Sequence, residues 1–136
     1  MVKVKKTLSE IDLRNKRVLV RVDFNVPVKD GLISDDSRIR AVMPTIEYLR
    51  KQESKIILCS HLGRPEGKVI ASMSLKPVVA VLSELLGANV KFADDCVGTS
   101  VENAVSELSN GEVILLENLR FHIEEENNDS EFAKQL

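Results

Sequence analysis

An apolar run, Ile56 to Cys59, stops at Ser60, and His61, Leu62, Gly63 and Arg64 follow directly in the stretch KIILCSHLGRPEG. Arginine presents a planar fork of donors that matches phosphate or carboxylate through two parallel bonds, so several converging arginines make a site for a small polyanion. Polar groups also follow the other apolar runs. Asp23, Phe24 and Asn25 close RVLVRVDF and its sequel, Asp94 and Asp95 follow VKFA, and Arg120 and His122 follow EVILLE. An aspartate among cations repels a polyanion unless it accepts a hydrogen bond from a hydroxyl, so Asp23 points to a phosphorylated or carboxylated hydroxy compound. Arg38, after SDDS, falls in the first turn of a helical stretch. A cation there opposes the helix dipole by up to roughly 1 kcal/mol, which an anionic ligand would offset.

Taken singly, these residues have ordinary alternatives. His61 is readable as a turn histidine, Arg64 as a surface arginine before Pro65, and Arg120 as a partner of Glu117 or Glu124. Asp35 and Asp36 could neutralise Arg38, and Asp94 with Asp95 could cap a helix. Arg21 reads as an ion-pair partner for a strand-end carboxylate, His122 as structural, and EEENND (124–129) as a solvated acidic turn. Together, however, the alternatives must account for two arginines and a histidine at one edge, with Arg38 close by.

The elements that must position these groups read as four strands, 17–24, 55–60, 90–93 and 112–117. They are short, β-branched and nearly continuous in hydrophobicity, the pattern of strands covered on both faces. Helical stretches lie between them. In SLKPVVAVLSELLG, Leu75, Val78, Val79, Leu82, Leu85 and Leu86 form one apolar face, with Ser74 placed to cap its start and Gly87 to end it. SVENAVSELSNG repeats the pattern and closes at Gly111. The stretch around Arg38 carries Ile39, Val42, Met43, Ile46 and Leu49, and Pro44 must kink it or begin a second helix. Asn128 to Ser130 begin one more helix. The order β-α-β-α-β-α-β implies a doubly wound, Rossmann-like α/β fold, with a parallel sheet and helices on both faces. In such sheets ligands bind outside the carboxyl ends of the strands, where the polar residues cluster.

Composition narrows the classes. The chain has 136 residues, enough for one domain with a core, and a net charge of −2, so no global basic field recruits nucleic acid. The first 16 residues lack the apolar centre of a secretory signal, and Cys59 and Cys96 are too few and too distant for a metal motif or a disulfide framework, which suits a reducing cytoplasm. GRPEGK falls short of a P-loop, because three residues separate Gly63 from Gly67 and Val69 stands where Ser or Thr would hold magnesium. No G-x-G-x-x-G follows the first strand.

RVDFNVP, DDSRIRAVMPTIEYL, SHLGRPEG, SLKPV, FADDCVG and LLENLRFHIEEE, in this order and spacing, resemble phosphoglycerate kinase over essentially the whole chain. The resemblance implies reversible phosphoryl transfer between ATP and 3-phosphoglycerate, giving ADP and 1,3-bisphosphoglycerate in glycolysis and gluconeogenesis. It implies that Asp23 and Asn25, with Phe24 between them, meet the acceptor's hydroxyl region. It likens Arg38 to the catalytic arginine that reaches the acceptor carboxylate and the transferring phosphoryl group. His61, Arg64 and Arg120, with Leu62 and Gly63, are similar to the residues gripping the acceptor's distal phosphate. On this resemblance residues 1–136 are an incomplete amino-terminal, acceptor-binding domain, inactive alone. The carboxyl-terminal domain that holds ATP and Mg2+ lies outside it, and the complete enzyme is a cytoplasmic monomer without nucleic-acid or membrane partners. A stand-alone module for phosphorylated metabolites and an arginine-rimmed interaction domain are the rival readings; the latter requires a basic stripe with stacking aromatics that the sequence lacks.

Overall fold

The structure is a computed structural model and describes residues 7–136. The first six residues of the stretch read for a secretory signal lie outside the described residues. The elements run β1 (Arg17–Arg21), β2 (Val28–Lys29), β3 (Leu32–Ile33), α1 (Ser37–Lys51), β4 (Lys55–Cys59), α2 (Lys76–Leu86), β5 (Lys91–Ala93), α3 (Thr99–Ser106), β6 (Val113–Leu116), α4 (Ile123–Glu126) and α5 (Ser130–Gln135). Four strands form one sheet in the order β1-β4-β6-β5, every neighbouring pair parallel.

Successive side chains of a strand point to opposite faces, and the two faces build two cores. Ile56 and Leu58 of β4, with Val113 and Leu115 of β6, pack against Ile39, Ile46 and Leu49 of α1 and Val78 and Leu82 of α2. Ile57, Cys59, Ile114 and Leu116 pack on the other face against Val101 of α3 and Phe132 of α5. The chain is therefore a parallel α/β sheet with helices on both sides, as the alternation of elements predicts.

Local details depart from the sequence reading. Every β4 and β6 residue except Lys55 is buried, but β1 alternates, and Leu19 remains 45% exposed. As an edge strand β1 is covered on one face only, against the expectation of cover on both. Pro44 begins no second helix, since α1 runs through it from Ser37 to Lys51. Burial of Ile39, Ile46 and Leu49 outweighs the lost backbone donor. α3 ends at Ser106, short of Gly111, which instead turns the chain with φ +82° and donates to the Ser54 carbonyl at 2.7 Å. α2 has Leu75 at its N-cap, and Ser74 Oγ accepts from the Lys76 N–H at 3.1 Å. A hairpin absent from the strand reading joins β2 to β3, with Asp30 and Gly31 at φ +52° and +74°. Asp-Gly between two short strands is the usual signal for such a turn.

Candidate functional site

The carboxyl ends of β1, β4 and β6 form a rim held by buried polar groups. Past β1, the Phe24 N–H donates to Ser60 Oγ at 2.9 Å, fixing this segment across the end of β4. Past β6, Leu119 N–H donates to the Ser60 carbonyl at 3.0 Å. Asn118, fully buried, donates from Nδ2 to the carbonyls of Leu62 at 2.8 Å and Met73 at 2.9 Å, and its Oδ1 accepts from the Arg120 N–H at 3.0 Å. Glu117 accepts from Ser74 Oγ at 2.6 Å, from the Leu75 N–H at 2.9 Å and from the Asn118 N–H at 2.8 Å. The loop after β4 is thus pinned to the segment after β6. Gly67 completes the join. Its N–H donates to the Arg120 carbonyl at 3.2 Å, and a Cβ there would stand 2.7 Å from Ile123 Cβ.

The predicted residues distribute along this rim. On one side Arg38 Nη1 donates to the Asn25 carbonyl at 2.6 Å and lies 3.4 Å from Asp23 Oδ1. Asp35 and Asp36 are occupied elsewhere: Asp35 Oδ1 accepts from the Ser37 N–H at 2.9 Å, and Asp36 pairs with Arg40 at 3.0 Å. Neither neutralises Arg38 through a direct bond. In the middle, the Gly63 N–H donates to Asn25 Oδ1 at 2.9 Å, with Gly63 at φ +65°. Arg64 is exposed on this loop and makes no salt bridge among the described residues. Phe24 and Leu62 belong to the core, so their side chains do not line the rim and only their backbones reach it.

On the other side, Arg120 Nε pairs with Glu125 Oε2 at 2.9 Å, and Arg21 Nη2 pairs with Glu125 Oε1 at 2.7 Å. Glu125, rather than Glu117 or Glu124, is the partner of Arg120. The acidic run 124–129 is correspondingly no solvated turn throughout: α4 takes in its first three residues and leaves the Glu125 side chain only 10% exposed. Burial raises the Glu125 carboxyl, but the two arginines outweigh it and hold the group below its ordinary value. His61 is held below 6.5 by burial and by the charges of Arg120 and Arg21, against the opposing pull of Glu125 and Asp23. Those five groups accordingly share one electrostatic neighbourhood. Sequence reasoning missed Glu125, Glu117 and Asn118 as rim-builders. Arg21 carried a signal, a cation at the carboxyl end of β1, but its partner is Glu125 of α4 rather than a strand-end carboxylate.

His122 is structural, as read, and it has partners: Nε2 lies 2.7 Å from Asp95 Oδ1, and the ring packs on Phe132 at 5.2 Å. Asp95 therefore caps no helix, since α3 begins after Gly98 without a side-chain cap. Cys96 joins Asp95 and His122 to make a set of metal-type donors within 4.8 Å of one another, despite the distance in sequence. Burial, followed by the charge of Asp95, pushes the Cys96 thiol up to about 12, which keeps it protonated, and Asp95 is already bonded to His122 and to the Cys96 N–H. These contacts tie the end of β5 to the segment after β6. A wider cleft, about 660 Å3, lies at the opposite end of the sheet between Glu47, Arg50, Asn89 and Gly111. Beside Asn25 and Arg38 the hollow is only about 140 Å3.

The family model for phosphoglycerate kinase matches residues 8–136. The phosphoglycerate kinase of Gloeothece citriformis is 63% identical over 130 residues, covering 95% of this chain and 32% of that protein. That of Borrelia hermsii is 54% identical over 131 residues, covering 96% and 33%. The crystal structure of phosphoglycerate kinase from Pyrococcus horikoshii superposes with a TM-score of 0.83 at 36% identity, covering 94% of this chain and 33% of that one. The enzyme from Coxiella burnetii gives 0.82 at 39% identity. The chain spans about a third of the length of these relatives. A match extending over nearly every residue, with the same fold behind it, makes this chain a member of the phosphoglycerate kinase family.

Proposed function

We propose that this chain supplies the acceptor half of a phosphoryl-transfer site. It binds 3-phosphoglycerate at the rim, for reversible transfer of the γ-phosphoryl group of ATP to the acceptor carboxylate, giving ADP and 1,3-bisphosphoglycerate in glycolysis and gluconeogenesis. The observation that carries this reading is the placement of His61 and Arg120 past β4 and β6, with Arg38 of α1 bonded to the Asn25 carbonyl past β1, in a chain of this kinase family. Asp23 accepts from the acceptor's hydroxyl, and Asn25 offers its amide NH2, which makes no protein bond among the described residues. Among the described residues Arg38 keeps Nε and Nη2 clear of protein bonds, and it meets charge developing on the transferring oxygens. His61, Arg64 and Arg120 hold the distal phosphate, with the backbones of Leu62 and Gly63 shaping that loop and Phe24 anchoring Asp23 and Asn25 from the core.

Among the described residues, the cluster of metal-type donors does not suit Mg2+. Magnesium requires oxygen ligands in near-octahedral order, whereas the donor set at Asp95, Cys96 and His122 includes a protonated thiol and an imidazole. ATP and Mg2+ are therefore assigned to the portion of the relatives that this chain does not span, and the 136-residue chain alone is inactive. The expected partners are small molecules. Among the described residues no helix is long and apolar enough to cross a membrane. The complete enzyme acts in the cytoplasm as a monomer. The test is titration of the purified chain with 3-phosphoglycerate at low and high salt, beside a coupled kinase assay. Weak, salt-sensitive binding without turnover is expected; turnover above an Arg38→Ala control, or no binding at low salt, overturns the reading.

A further inference from the structure

Glu125 stands apart from its neighbours in the acidic run. Glu126 is exposed, whereas the Glu125 side chain is nine-tenths covered and spends one oxygen on each of two arginines from different elements. The manner of contact differs between them. Arg21 is held by a terminal nitrogen, Nη2 to Oε1 at 2.7 Å, which consumes part of its fork. Arg120 is held by its inner nitrogen, Nε to Oε2 at 2.9 Å, and neither of its terminal amino groups bonds to protein among the described residues. A guanidinium gripped at Nε has its plane fixed while Nη1 and Nη2 project forward as a free pair of donors. α4 is itself anchored, through the close approach of Gly67 to Ile123 and through the bond of His122 to Asp95 at its start.

We propose that Glu125 is a positioning residue for the rim: its carboxylate aims the free fork of Arg120 at the bound anion and fixes Arg21 as a lateral counter-charge. The inference rests on the reading of the rim as an anion site and adds the residue that orients it. It makes a prediction whose sign is opposite to simple electrostatics. Removing a carboxylate from beside an anion site ought to strengthen anion binding, by relieving repulsion. Removing the group that aims the arginine weakens it, because a hydrogen bond from a charged group is lost or must be reorganised, an effect of about tenfold or more.

The experiment measures affinity for sulfate and for 3-phosphoglycerate in the 136-residue chain and in Glu125→Gln, Glu125→Asp and Arg120→Ala, with far-ultraviolet circular dichroism as the control for folding. Glu125→Asp retains the charge but is too short to span both arginines. Positioning predicts weaker binding in both Glu125 variants, by about tenfold or more, together with loss of exchange protection at the Arg120 Nε proton in nuclear magnetic resonance spectra. Unchanged or tighter binding in Glu125→Gln, or full affinity in Glu125→Asp with Arg120 Nε exposed, overturns the proposal. If Glu125→Gln fails to fold, Glu125→Asp carries the test alone. Failure of the underlying reading looks different: the parent chain and Arg120→Ala then bind equally weakly, whatever occupies position 125.

Discussion

The two ends of the sheet solve opposite problems. At the amino end, around the wider cleft, charges come in equal and opposite number: Glu47 and Glu112 beside Arg50 and Lys51. Their bonds close the fold. Arg50 Nη1 donates to the Leu86 carbonyl at 3.2 Å, and Glu112 accepts from the Ser109 N–H at 2.7 Å and from Lys91 Nζ at 3.4 Å. At the carboxyl end the hollow is small, yet Arg21, Arg38, Arg64 and Arg120 meet only Asp23 and Glu125 as bonded carboxylates among the described residues. Cavity size and chemical readiness are therefore separated in this molecule. On the proposed reading, the binding end is marked by an excess of cations with partly unspent donors rather than by an empty volume.

The largest effect that would sharpen this contrast lies at Arg38. Joined to the remaining two-thirds of a relative, the chain should give an enzyme in which Arg38→Ala lowers kcat by about two to five powers of ten, while KM for the acceptor changes much less. Steady-state kinetics with unchanged kcat and a much raised KM would reassign Arg38 to ground-state binding. Next comes Asn118, the buried tie beneath the rim. Asn118→Ala leaves the Leu62 and Met73 carbonyls and the Arg120 N–H without their partner, and should cost roughly 1–3 kcal/mol in urea unfolding. A midpoint equal to that of the parent chain would show that water replaces Asn118 freely.

A smaller effect concerns protons at the rim. His61 titrates below 6.5 in the folded chain, so between its folded value and 6.5 the unfolded chain binds more protons and stability declines as pH falls through that window. An anion that favours the imidazolium raises the value, so binding takes up a proton. Sulfate, which keeps its charge across this range, should bind more tightly as pH falls through and below 6.5, and His61→Gln should abolish that trend. A flat sulfate profile in the parent chain would place His61 outside the anion's reach. The smallest change is expected at the other end: Arg50→Ala should reduce stability by about 1 kcal/mol and leave sulfate affinity unaltered. A matching loss of affinity would break the division between the two ends.

The parallel sheet was legible because its signals are long and redundant: apolar runs at 55–60 and 112–117 alternate with helical faces such as Leu75 to Leu86. The rim was legible through the same rule, which sends loop residues after each strand to one edge. What escaped depended on contacts between distant segments. Glu125 reads as one acidic residue among several until α4 turns it toward Arg21, which is 104 positions away. Asp94 and Asp95 resemble caps because a preceding carboxylate often is one, yet Asp95 is engaged by His122 from beyond β6. The cover of β1 was misjudged for a related reason, since hydrophobicity reports what a strand tolerates and not whether it lies at an edge. The hairpin at Asp30 and Gly31 is different, because its Asp-Gly signal is local to the turn itself.

The strand order also has a consequence in time. β6 follows β5 in the chain but lies in the interior of the sheet, between β4 and β5, and among the described residues β5 pairs with no other strand. During synthesis β1 and β4 can pair as soon as both have emerged, whereas β5 must wait about 20 residues for its partner, roughly one to four seconds at ribosomal rates. Its brevity, three residues, limits what an unpaired edge can recruit meanwhile. β6 then enters like a keystone, carrying with it Asn118 and Arg120, so these rim groups take their places only when it inserts. We expect a chain ended at Gly111 to lack a cooperative unfolding transition, and a sharp transition in calorimetry would show that the sheet does not depend on its keystone.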